Sequence, residues 1–176
     1  IDNNQIVTAD GNLTISGTLT LSTNGFILDM GANILEIGTG TSVLGAITRT
    51  GSGSIRGTLK RWFDASTTTN TLFPLNNGAT DYVGATISFT EAPATGGSLT
   101  ASYTTAGSGS IPGGFIDFSA QYPGVNLINI SPQFWTINAA DGLETDAGTY
   151  SINLSANNMG FSTTDDDYLF TAILKR

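Results

Sequence analysis

The chain has 176 residues, with 6 Lys or Arg against 14 Asp or Glu for a net charge of −8, and neither Cys nor His. Those counts exclude a Cys or His nucleophile, a His general base, a thiolate or imidazole metal site and a disulfide framework. Six basic residues are too few for the basic surface that nucleic acid needs.

Apolar residues make up 39% of the chain, enough to bury a core, and no run approaches the 18 that a membrane helix needs. Membrane insertion is therefore not expected. Thr, Ser, Asn and Gly number 27, 16, 14 and 22, a polar, weakly charged composition that suits an extracellular or cell-surface setting. Ile1-Asp2-Asn3-Asn4-Gln5 has neither the basic nor the apolar region of a leader and no initiator Met, so the expectation is a processed or excised piece.

Gly interrupts the chain every few residues, and no helical apolar pattern lasts three turns, so the expected class is all-β. Residues 12–60 carry short apolar runs: Leu13-Thr14-Ile15, Leu19-Thr20-Leu21, Phe26-Ile27-Leu28, Ile34-Leu35-Glu36-Ile37 and Val43-Leu44. Turn residues separate them. Strands this short and this close fit the rungs of a parallel β-solenoid, and about two coils are expected. The alternative is an antiparallel meander, for which Asn24-Gly25 is a good hairpin signal.

Residues 48–61 gather Arg49, Arg56, Lys60 and Arg61, four of the six basic residues, around Gly51-Ser52-Gly53-Ser54. They form either a solvated face that balances nearby acids or an interface patch for an acidic partner or neighbouring subunit.

Residues 62–176 alternate cleanly. Val83, Ala85, Ile87 and Phe89 share one face; so do Leu99, Ala101 and Tyr103, then Tyr150, Ile152, Leu154 and Ala156, then Tyr168, Phe170, Ala172 and Leu174. With Phe115–Phe118, Val125–Ile130 and Gln133–Asn138 this gives about seven strands and an expected antiparallel β-sandwich centred on Trp135, Tyr103, Phe89 and Phe170. The expected organisation is a solenoid-like or meander segment over 1–61 and a sandwich over 62–176, or one continuous domain.

Several landmarks recur in a fixed order. They are Ile47-Thr48-Arg49-Thr50-Gly51-Ser52-Gly53-Ser54-Ile55-Arg56-Gly57-Thr58-Leu59-Lys60-Arg61-Trp62-Phe63, Thr71-Leu72-Phe73-Pro74-Leu75, Tyr82-Val83-Gly84-Ala85-Thr86-Ile87, Ser131-Pro132-Gln133-Phe134-Trp135-Thr136-Ile137 and Leu169-Phe170-Thr171-Ala172-Ile173-Leu174-Lys175-Arg176. Over residues 10–176 this order resembles a β-rich module of large secreted, adhesin-like surface proteins of Bacteroidetes-type bacteria, often exported by type IX secretion. The chain departs from that pattern at Leu75, Asn76, Gly84 and Gln133-Phe134. The resemblance implies architecture and setting, and supplies no catalytic residues.

Asp165-Asp166-Asp167 is the densest charge and the one candidate calcium site, since calcium takes oxygen ligands at such turns; its spacing matches no calcium loop, and a polar turn is the plainer account. Asp141-Gly142-Leu143-Glu144-Thr145-Asp146 lacks EF-hand spacing and reads as a loop bridging two strands. No serine sits in a nucleophile elbow, and the Gly-Ser runs lack the lysine of a phosphate loop. Trp62-Phe63 and the group Phe115, Phe118 and Tyr122 are the aromatics that would stack on sugar rings; core packing is their alternative role.

The expected function is therefore a non-enzymatic structural or adhesive module, or a filament subunit, assembling by strand addition at its ends. Its partners would be itself or neighbouring modules of one polypeptide. Leu13, Ile15, Leu19 and Leu21 form the expected assembly strand. A carbohydrate-binding module, meeting glycan at a cell surface, is the alternative. No cofactor is expected.

Overall fold

The computed structural model describes residues 5–22, 25–77, 82–104, 116–117, 126–127, 134–145 and 149–155. Among them lie thirteen strands and no helix, so the chain is all-β. β1 (Ile6–Thr8), β2 (Leu13–Ile15) and β3 (Thr18–Leu21) are short, followed by β4 (Ile27–Ile37), β5 (Ala46–Arg49) and β6 (Ser54–Phe63).

Every pairing among these six strands is parallel: β1 and β2 lie side by side along β4, β4 lies on β6, and β3 lies on β5. Ile6 stands against Ile27, 21 residues on, and Thr18 against Ala46, 28 residues on. Like side chains therefore stack on like, in columns such as Leu13–Leu35–Leu59 and Val7–Leu28–Ile55. The antiparallel alternative is not formed. β3 and β4 flank Asn24-Gly25 without pairing, because both edges of β4 are taken by β1 and β2 on one side and by β6 on the other.

Two of the expected short strands are one. Ile27 and Leu28 of the first run and all of Ile34–Ile37 fall on β4, which jogs between Asp29 and Ile34, where its register against β6 shifts. Val43-Leu44 is not a strand; it belongs to a tight loop between Gly38 and Gly45, both at positive φ. A Cβ on Gly38 would stand 2.5 Å from the carbonyl oxygens of Val43 and Leu44, so the loop closes only around glycine.

The later strands are β7 (Thr71–Phe73), β8 (Ala85–Phe89), β9 (Gly97–Thr104), β10 (Ile116–Asp117), β11 (Asn126–Leu127), β12 (Phe134–Ala140) and β13 (Tyr150–Leu154), and all their pairings are antiparallel. β9 and β12 extend the first sheet to the order β1-β4-β6-β9-β12, with β2 beside β1; β13-β8-β7 is a second sheet and β10-β11 a small ladder.

β6 is the junction. Near its start Ile55 pairs in parallel with Leu75, donating to Pro74 O at 2.8 Å and accepting from Asn76 N–H at 2.8 Å. From Leu59 to Phe63 it pairs antiparallel with β9. The expected division at residue 61 thus falls inside a strand, and one apolar cluster spans it: Leu19, Leu21, Leu28 and Leu35 from the parallel side join Phe63, Phe73, Ile87 and Leu99.

Period-two alternation makes these elements. β3 buries Leu19 and Leu21 and exposes Thr18 and Thr20, and β8 buries Ala85, Ile87 and Phe89. Of the expected core centre, Phe89 is buried against Phe63, ring centroids 5.3 Å apart. Trp135 and Tyr103 pack edge to face at the margin, and the Trp135 indole donates to Val83 O at 2.7 Å. Phe26, Phe63, Phe73 and Met30 occupy the centre instead, because aromatics bearing polar tips settle where those tips find partners. Phe170 and the Tyr168–Leu174 pattern lie outside the described residues.

Candidate functional site

The expected assembly residues divide between two roles. Leu19 and Leu21 are buried in the core, Ile15 packs half-buried against it, and Leu13 is 40% exposed. Exposure follows position: Leu13 ends the column that runs through Leu35 and Leu59, and Ile6, 54% exposed, ends the one that runs through Ile27.

Among the described residues β1 and β2 pair only with β4, and β3 only with β5, so the edges of β1 and β2 away from β4 carry no partner strand there. The hydrogen-bond parity shows which groups face out. Ala9 N–H donates to Asp29 O and Gln5 O accepts from Ile27, so the amide of Thr8 points to the open side. Ile15 O accepts from Gly38, so the Thr14 amide does too. Residues 5–22 hold one charge, Asp10, and no proline. Natural edge strands are normally blunted by charge, proline or a bulge.

The expected basic patch does not present four free cations. Arg56 pairs with Asp29. The Arg49 Nε donates to Gly53 O at 2.7 Å, and its guanidinium lies 4.2 Å over the Tyr82 ring. Arg61 is 8% exposed, among apolar residues on the inner face of β6, where Nη1 donates to Leu72 O and Nε finds no acceptor among the described residues. Burial pushes its pKa down to about 10, so it is cationic at neutral pH.

Lys60 anchors a polar network on the outer face. It bridges Glu36 at 3.2 Å and Asp141 at 2.9 Å, and its ammonium stands 4.5 Å over the Trp62 ring. The Trp62 indole and the Thr14 hydroxyl also donate to Glu36, at 2.8 and 3.3 Å, and Ser98 donates to Asp141 at 2.6 Å. Asp141 reaches Lys60 from a tight turn in which it and Gly142 hold positive φ and Leu143 N–H returns to Ala140 O. The network ties β2, β4, β6 and β9 to the turn after β12.

Burial works against the Glu36 charge, but Trp62, Lys60 and Thr14 outweigh it and hold the pKa below the ordinary value. Asp141 is held low by Ser98 and Lys60. Burial likewise opposes the Lys60 charge, and Asp141 and Glu36 outweigh it, so its pKa is raised. Both carboxyls are ionised at neutral pH, so neither is poised as a general acid.

Lys60→Met is expected to lower the unfolding free energy by about 1 kcal/mol at pH 7, a value discounted for partial exposure. Carboxyls held low contribute stability above the ordinary pKa of about 4 and lose it as pH falls through their lower folded values. The gap between wild type and variant, read from urea unfolding, should therefore narrow as pH falls below the ordinary carboxyl value of about 4; a gap independent of pH would show that the ion pairs contribute nothing.

Asp165-Asp166-Asp167, Phe115, Phe118 and Tyr122 lie outside the described residues. Among the described residues no group of three or more carboxylates could hold a metal ion, and no helix is long and apolar enough to cross a membrane. Trp62 is half-buried, with its indole N–H committed to Glu36. Thr95 and Glu144 form a bridge, so the segment after Asp141 folds back along the residues that lead into β9.

Sequence reasoning missed the pair Asn12 and Asn33. Asn12 Oδ1 accepts from Ile34 N–H at 2.9 Å and Asn33 Nδ2 donates to Ala9 O at 3.3 Å, so both tie the loop between β1 and β2 to β4. The signal was their spacing, which equals that of Ile6 and Ile27.

Comparison with family models, curated proteins and solved structures returns no match.

Proposed function

We propose that this chain is a non-enzymatic extracellular module, structural or adhesive, in which a solenoid-like parallel stack runs into an antiparallel sandwich and joins its neighbours by strand addition. The observation that carries this reading is the open, uncharged edge of β1 and β2, which offers backbone groups and apolar column ends together. The Thr-, Ser-, Asn- and Gly-rich composition and the resemblance to modules of secreted surface proteins support the setting.

Electron microscopy with light scattering tests it. Deleting the first coil would remove Leu19 and Leu21 from the core, so the edge is blocked by substitution instead. Thr8→Pro removes an outward-facing N–H and spares the bonds to β4. Wild type is expected to assemble end to end, and Thr8→Pro to remain near 18 kDa with Thr8→Ala still assembling. Equal assembly by all three proteins would overturn the reading.

A further inference from the structure

We propose that the occupant of the open edge is a further parallel coil, of the same construction as the first two and in register with them. This rests on the reading of that edge as a joining surface and names what joins it.

Three independent features of the first coil ask for the same partner. The first is direction. All pairings on this side of the molecule are parallel, and the outward amides of Thr8 and Thr14 continue the pattern by which Ile27 N–H reaches Gln5 O and Ser54 N–H reaches Phe26 O. Gln5 and Phe26 are equivalent acceptors 21 residues apart.

The second is the corner. Asn33 in the second coil sends its amide down to Ala9 O of the first, while Asn12 uses only its oxygen, toward Ile34. Among the described residues nothing accepts from the Asn12 amide. A coil beneath, presenting the carbonyl equivalent to Ala9 O, supplies that acceptor.

The third is the columns. Ile6 and Leu13 end in solvent at 54% and 40% exposure, where Ile27 and Leu35 one level above are buried at 5% and 0%. Terminal coils of solenoids normally carry a polar cap, and this one does not. The chain carries a net charge of −8, yet residues 5–22 contribute only Asp10, so an apolar, uncharged coil can approach without repulsion.

At the far end of a second copy β6 is covered by Leu75 in parallel and by β9 in antiparallel pairing, so end-to-end assembly through this edge needs that cover to yield, and a neighbouring module that carries such a coil is the occupant proposed.

The test is a chain with residues 6–26 duplicated between Gln5 and Ile6. The original Thr8 and Thr14 amides are expected to exchange at least about tenfold more slowly than in wild type held dilute enough for light scattering to show a monomer. Asn12→Asp in the original coil keeps the acceptor for Ile34 and removes the donor. It should raise the exchange rate of these amides in the duplicated chain and leave it unchanged in wild type. Unprotected Thr8 and Thr14 amides, with the added residues cut readily by protease, would overturn the proposal. The two readings fail separately. Wild type that self-assembles while the added coil stays undocked removes the parallel-coil partner alone; monomeric wild type whose added coil docks removes self-assembly alone.

Discussion

Phe63→Ala is expected to lower the unfolding free energy by about 3–5 kcal/mol, and to do so for both halves of the chain in a single transition. Phe63 is fully buried, packs edge to face on Phe89 of the second sheet, and ends the strand whose other edge carries β4. Its cavity would open between the Leu35 and Leu59 column and the residues of β7 and β8. Trp fluorescence and amide exchange on β4 should report the same midpoint. Two midpoints, with β4 unaffected, would show that residues 1–61 and 62–176 hold together separately and that the shared cluster does not couple them.

Gly97→Ala is expected to be nearly as damaging, about 1–3 kcal/mol or more. A Cβ there would stand 2.2 Å from the backbone N of Leu143, and a backbone neighbour cannot swing aside as a side chain can. The turn after β12 must lift away, taking Asp141 from Lys60 and Ser98. Combining Gly97→Ala with Lys60→Met should therefore cost less than the two separate losses added, because the first has already broken one of the second's ion pairs. Strict additivity in urea unfolding would place the damage elsewhere.

The strands were legible, and so was the sense of pairing in each half, parallel among the short early runs and antiparallel among the later ones; which strand lies beside which was not. Thr-Leu-Thr-Leu at 18–21 and the alternation of 85–89 announce strands with one buried face, and both are strands. Alternation says which face is buried and nothing about whether the neighbour runs parallel. Asn24-Gly25 invites a hairpin, but the competition for the edges of β4 decides the matter, and that is settled by residues far along the chain. The basic cluster was legible as charges that balance acids, but not which acids. Arg56 finds Asp29, Lys60 finds Glu36 and Asp141, and none of these acids lies beside its partner in sequence. The Asn12 and Asn33 corner was legible as a spacing, but its meaning depends on knowing that the strands stack 21 residues apart.

The seating of β4 on β6 and of β6 on β9 makes the first strands dependents of the later ones. The apolar columns of β1, β2 and β4 reach the rest of the core through Ile55 and Leu59 of β6, which β9 flanks in turn. A lesion in β6 or β9 is therefore felt in β1 and β2, strands that pair with neither, and their amides are expected to lose exchange protection together with those of β9.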